Sequence, residues 1–200
     1  MGRTEPGPTR RGRPPGPSRQ VRAAVIDAAG DELASSGFAG FSAERVAERA
    51  GVHRSTLYRH WPTKRDLIVA VAQTSYAERM PSPDTGTWED DLRTLIGSLA
   101  ESIGHPVSRA LFGALAAAGR SDPELQAAVM TTWRTDTIHH LAPIERARAR
   151  GEIDASIDAG LLLEAISAPL IERVCITGIP LTPHFLEFTV QLILRGSRPH

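Results

Sequence analysis

Six hydrogen-bonding side chains crowd into seven consecutive positions: Arg54, Ser55, Thr56, Tyr58, Arg59 and His60, interrupted only by Leu57. Few of these side-chain types are suited to a core. Arg54 and Arg59 can pair with the acceptor edge of guanine or grip phosphate, and Thr56 can meet a base or a thymine methyl. Ser55 can serve either purpose. Leu57 and Trp61 are four residues apart and fall on one helical face, which assigns them to packing. This is the chemistry of a short helix laid into the major groove of duplex DNA.

The neighbouring residues place that helix. Ser42 is an N-cap, with Glu44 adding negative charge to the first turn. Ser42 and the backbone N–H groups beside it can hold a phosphate. Val46, Ala47 and Ala50 give a small apolar face. Gly51 stands where helices commonly end in the left-handed conformation, and Val52 plugs the corner that follows. Pro62 ends the next helix, since it cannot continue the hydrogen-bond ladder. Thr63 to Asp66 reads as a capping box opening a further helix. The helix-turn-helix thus covers 42–61.

The string A-E-R-A-G-V-x-x-S-T-L-Y-R-H-W-x-x-K-x-x-L, from Ala47 to Leu67, resembles the DNA-binding domain of TetR-type (TetR/AcrR-like) transcriptional repressors. Arg22 to Phe38 is similar to the first helix of that family. Two positions depart from it: Glu32 stands where an apolar residue is usual, and His53 where a small capping residue is common. The resemblance implies that Tyr58, His60 and Lys64 bind DNA phosphates. A weaker likeness over ARGEIDASID…LTPHFLEFTVQLILRG suggests a TetR-type C-terminal regulatory domain. Such domains bind a small molecule that loosens the grip on DNA, with helix four as the link. They also pair through a four-helix bundle made by two helices from each subunit.

Charge distribution agrees. The 200 residues carry no net charge, yet residues 1–66 hold 12 Lys/Arg against 7 Asp/Glu, and the remainder 11 against 16. A basic N-terminal part joined to an acidic remainder is a sign of nucleic-acid contact at one end. Residues 1–18, rich in Pro, Gly and Arg, have nothing to bury and are expected to be disordered. They form either a loose tail or a basic arm in which Arg10, Arg11 and Arg13 follow the DNA. The lone Cys175 lies in an apolar run and reads as a small hydrophobe. No disulfide framework, signal-like N-terminus or apolar run of about 18 residues is present, which points to the cytoplasm and away from membranes.

The fold expected is all-α with about nine helices. Helix one spans Ser18–Ser36, helix two Ala43–Ala50, helix three Arg54–Trp61 and helix four Lys64–Glu78. The DNA-binding domain is placed at 19–80, Pro81-Ser82-Pro83 marks the boundary, and the regulatory and dimerisation domain covers 84–196. Thr87 and Ser121–Glu124 open further helices. Pro143 should bend the longest of them. Leu161 to Ile176 is apolar nearly all round and reads as one buried helix. Candidate pocket residues are Leu95, Leu99, Ile103, Phe112, Leu115, Trp133, Ile138 and Ile166, an apolar set that suits a small hydrophobic effector. Candidate dimer contacts are Leu163, Leu170, Val174, Phe185, Phe188 and Leu192.

The expected assembly is a homodimer on a palindromic operator, with half-sites roughly 34–36 Å apart. Control by a protein partner, or action as an activator, also fits the residues. A helical enzyme is the remote alternative, because no nucleophile elbow, phosphate loop, HExxH or paired-cysteine motif occurs. No cofactor and no metal is expected: His139 and His140 are adjacent and point apart on a helix, with no further ligand at suitable spacing.

Overall fold

Caps written into the sequence start most of the helices. In the computed structural model, which describes residues 18–77, 82–118 and 122–199, the Ser18 hydroxyl accepts from the Val21 N–H at 3.3 Å and opens α1, Arg19–Gly40. The side chains of 75–77, 116–118 and 132–139 lie outside the described set, and with them Trp133 and Ile138 of the expected pocket. So do Arg10, Arg11, Arg13 and Pro81. α1 breaks at Gly37, whose φ of 64° only glycine adopts without strain, and a short turn continues to Gly40. α2 (Ala43–Arg49), α3 (Arg54–His60) and α4 (Lys64–Ala77) follow, with limits within a residue or so of those expected.

Thr87, accepting from the Asp90 N–H at 3.2 Å, opens α5, Trp88–Gly104. α6 is Pro106–Ala118 and α7 Pro123–Ala149, which runs on as helix through the buried Pro143. α8, Ala159–Ile171, passes into a π-helical turn, Glu172–Thr177, that Gly178 ends at φ 71°. The helix expected to open at Asp158 and carry the apolar stretch 161–176 is thus continuous, changing from α to π winding at Glu172. Pro169 lacks an N–H and so weakens the ladder just ahead of the junction. α9, Pro183–Ser197, closes the chain. Among the described residues there is no strand, and no helix is long and apolar enough to cross a membrane.

Two apolar clusters hold these helices. The C-terminal one gathers Leu92, Leu95, Ile96, Leu99 and Ile103 of α5 with Ile144 of α7, Ile166 and Leu170 of α8, and Val190 and Ile193 of α9. Polar ties lock its base. The Trp88 indole N–H donates to the Ser197 hydroxyl at 3.1 Å, and the Asp154 N–H donates to the Ser197 carbonyl at 2.9 Å. The buried Asp91 accepts from the Thr85 N–H and hydroxyl at 2.7 and 2.8 Å. The N-terminal cluster joins α1 to α4 but also takes in Val107, Leu111 and Ala114 of α6 and Leu125 and Val129 of α7. The core thus runs across the proline-marked boundary.

Gly30 lets α1 and α6 approach. A Cβ on it would stand 3.3 Å from Val107 Cγ2 and 3.8 Å from Val71 Cγ1. Gly30→Ala needs only a small yield from Val107 and recovers roughly 1 kcal/mol of helix propensity, so it should be near neutral. Gly30→Leu should overpack the contact and cost about 1–3 kcal/mol. Thermal denaturation of the two variants beside the wild type checks the contrast.

Candidate nucleic-acid interface

The helix-turn-helix is built on a buried carboxylate. Glu32 of α1 is only 1% exposed, yet it accepts from the Ser42 N–H at 3.3 Å and from the Arg45 Nε at 2.9 Å. Arg49 lies 3.8 Å from its other oxygen. The Arg45 hydrogen bond is the main cause that holds this carboxyl below its ordinary pKa, against the opposing effect of burial. Glu32 thereby fastens the start of α2 to α1, which accounts for an acid where an apolar residue was expected.

The Ser42 hydroxyl accepts from the Arg45 N–H at 3.3 Å, as an N-cap should. Val46 and Ala47 pack inward, and Gly51 at φ 66° turns the chain. α3 starts from His53, which makes no side-chain capping bond. Leu57 and Trp61 are buried, whereas Arg54, Ser55, Tyr58 and Arg59 are exposed and Thr56 and His60 half-buried. Each expected polar residue of α3 thus keeps some of its side chain toward solvent, while Leu57 of that helix is buried. Arg59 Nε donates to His60 Nε2 at 3.4 Å, and the His60 ring meets Trp61 edge-on at 6.0 Å. The Tyr58 hydroxyl donates to Glu44 Oε1 at 2.8 Å, the largest cause of a raised phenol pKa and a lowered carboxyl pKa in this pair.

Lys64 also makes ties within the chain. Its ammonium donates to the Phe38 carbonyl and sits 4.2 Å from the Phe38 ring centroid and 5.6 Å from that of Phe41. Burial lowers its pKa. The side chain ties the end of α1 to the start of α4, and with three N–H donors on a half-buried ammonium it keeps donors to spare. The adjacent Arg65 joins α4 to α7: Nη2 donates to Asp122 Oδ1 at 2.8 Å and Nη1 to Glu124. Asp122 is also the N-cap of α7, accepting from the Leu125 N–H at 3.0 Å. Sequence spacing gave no hint of this ion pair, because its partners are 57 residues apart.

The expected pocket and dimer residues separate on inspection. Leu95, Leu99, Ile103 and Ile166 are buried in the C-terminal cluster, with Phe112 packed against it, but Leu115 packs against the N-terminal cluster instead. None of them lines the cleft of about 390 Å³ between the end of α3 and α7, which is walled by Arg22, His60, Trp61, Arg65 and Gln73. Leu163 and Leu170 are buried in the core of the single chain. Val174 and Phe185 lie at the core's edge, with the Arg173 guanidinium 3.8 Å from the Phe185 ring centroid. Leu161, Ile176, Phe188 and Leu192 are 65%, 76%, 59% and 58% exposed. The exposure of Leu161 and Ile176 was not foreseen, because a helix apolar on every side does not announce its outer face. Among the described residues no three metal-binding side chains converge.

A helix-turn-helix with its polar residues outward, on an all-helical body, defines a DNA-binding regulator. The comparisons place it more closely. Residues 25–71 match the model of bacterial regulatory proteins of the tetR family, and residues 82–193 match the tetracyclin repressor-like C-terminal domain. The chain belongs to the TetR family of transcriptional regulators, and it is a regulator rather than an enzyme. It is 28% identical to the HTH-type transcriptional regulator AqdR of Rhodococcus erythropolis over 90% of this chain and 89% of that one. It is 29% identical to a DNA-binding transcriptional repressor TetR of Mycobacteroides abscessus, over 86% and 90%. Its fold resembles that of FadR from Bacillus subtilis, solved with stearoyl-CoA, at a TM-score of 0.72 and 18% identity over 87% and 98% of the two chains.

Proposed function

We propose that this chain is a homodimeric repressor that grips a palindromic operator and is released by a small apolar ligand. The exposed apolar face of α8, the π-helical turn and α9 carries the reading. Leu161 of α8, Ile176 of the π-helical turn, Ile179 just after it, and Phe188 and Leu192 of α9 are large hydrophobic residues facing water. Large exposed hydrophobic side chains in this number favour being covered, and a second copy of the same helices would cover them symmetrically. Two recognition helices on one duplex then require a two-fold operator with half-sites about one DNA turn apart.

On DNA, Arg54, Arg59 and Thr56 are assigned to base edges or phosphate, Ser55 to either, and Tyr58, His60 and Ser42 to the backbone. Lys64 holds α1 against α4 and has donors left for the backbone. The DNA-binding unit comprises 19–80, with residues 1–18 as a basic arm, and the regulatory unit 84–196. α4 and the Arg65–Asp122 pair link them. A ligand that binds better to the form with misplaced recognition helices lowers DNA affinity, and one with equal affinity for both forms changes nothing. The apolar interior around α5 and Ile166, and the stearoyl-CoA bound to FadR, support an effector with a long apolar part.

A gel shift with the DNA upstream of the protein's own gene tests the reading. The expected result is one retarded band at dimer stoichiometry on a palindrome, with affinity falling steeply with salt. Acyl-CoA thioesters and free fatty acids should raise the melting temperature and dissolve that band. Binding by a monomer to a non-palindromic site would overturn the assignment.

A further inference from the structure

In the free protein, Glu44 offers the helix-turn-helix hydroxyls what a DNA phosphate would offer them. It lies on the first turn of α2, Oε1 accepting from the Tyr58 hydroxyl at 2.8 Å and Oε2 from the Ser42 hydroxyl at 2.9 Å. One anion with two oxygens thus satisfies two donors on two helices, and both donors are among those assigned to the DNA backbone. Charge-assisted bonds of this kind are the strong ones. A phosphate cannot take the Tyr58 proton while Glu44 keeps it, and the two anions repel when both are near. Arg54 adds its positive field at the same place. Of the other acids nearby, Glu32 is buried against Arg45, Asp66 accepts from the Thr63 N–H at 2.8 Å, and Glu48 stands exposed further along α2.

We infer that Glu44 is an intramolecular phosphate surrogate, which the DNA backbone must displace from Tyr58 and Ser42 before the helix-turn-helix closes on the duplex. Glu44 is then an affinity-setting residue. It weakens the grip on duplex DNA of any sequence, the part of binding that backbone contacts supply. Occupancy of non-specific DNA is held down without a change in base reading. This rests on the reading of Tyr58 as a phosphate ligand.

The test measures fluorescence anisotropy of a labelled duplex of scrambled sequence with the full chain. Glu44→Ala should tighten binding about three- to fivefold per helix-turn-helix. Glu44→Gln, which keeps an oxygen for Tyr58 without the charge, should fall between it and the wild type. Tyr58→Phe alone should weaken binding, and in that background the gain from Glu44→Ala should shrink by half or more. Glu48→Ala removes the same charge from an exposed position of α2 and should give a clearly smaller gain. An equal gain from Glu48→Ala, an undiminished gain beside Tyr58→Phe, or no gain from Glu44→Ala in a protein that melts like the wild type overturns the inference. An unchanged affinity for Tyr58→Phe instead overturns the phosphate role of Tyr58 itself, and the surrogate role with it.

Discussion

Phe188→Glu combined with Leu192→Glu is expected to part the subunits and to reduce operator affinity on the order of a hundredfold or more. The two positions are four apart on α9 and share one outward face. Both side chains are well exposed in the single chain, so the substitution removes little from the subunit's own core. In the paired state it places four carboxylates in a region that excludes water, where unpaired charge is strongly disfavoured. Each half-site must then be held alone, without the benefit of a second contact tethered nearby. Light scattering should report monomer mass, and thermal melting at high protein concentration should lose its concentration dependence. Dimer mass and unchanged affinity in the double variant would sink the proposed interface.

The second large effect belongs to Glu32. Glu32→Ala should destabilise the chain by about 2–4 kcal/mol, because it strips the Ser42 N–H and the Arg45 guanidinium of a buried acceptor. Glu32→Gln keeps an acceptor and should cost less. The acid response separates the two contributions. The Glu32 carboxyl has its pKa lowered by folding, so its stabilising effect is complete above the unfolded value of about 4.3 and fades as pH falls through the lower folded value. Wild-type stability should therefore drop as the solution is acidified below that range, and the drop should be shallower in Glu32→Gln. Urea melts at a series of pH values measure it, and parallel curves for both proteins would remove Glu32 from the account.

What was legible in the chain followed the range of the physics. Ser42, Gly51, Pro62 and Thr63 act on backbone within a few residues, and the two short helices α2 and α3 came out almost at their limits. Leu57 and Trp61 were separable from Tyr58 and Arg59 by helical period alone. Glu32 stood out only as a misfit, since its partner Arg45 is thirteen residues away and no local rule pairs them. Lys64 was read toward solvent, although its stem and ammonium find Phe38 and Phe41 at the end of α1. The inward Leu163 and Leu170 and the outward Leu161 could not be told apart, because α8 is apolar all round. The π-helical turn after Pro169 then alters the register at which Ile176 emerges. Arg65 and Asp122 meet only because α4 and α7 pack side by side.

The shared N-terminal core has a consequence for anyone recombining these proteins. A graft cut at Ser82-Pro83 would carry off α1 to α4 and leave behind Val107, Leu111, Ala114, Leu125 and Val129, which pack among them. Both halves would present raw apolar surface, and the head would lose the Arg65 tether as well. A chimera that changes operator choice while keeping its sensor should instead transplant only the outer residues of α2 and α3, or move α6 and the first turns of α7 along with the head. In this chain the transferable unit is a surface on a common body, and punctuation in the sequence does not mark a seam in the solid.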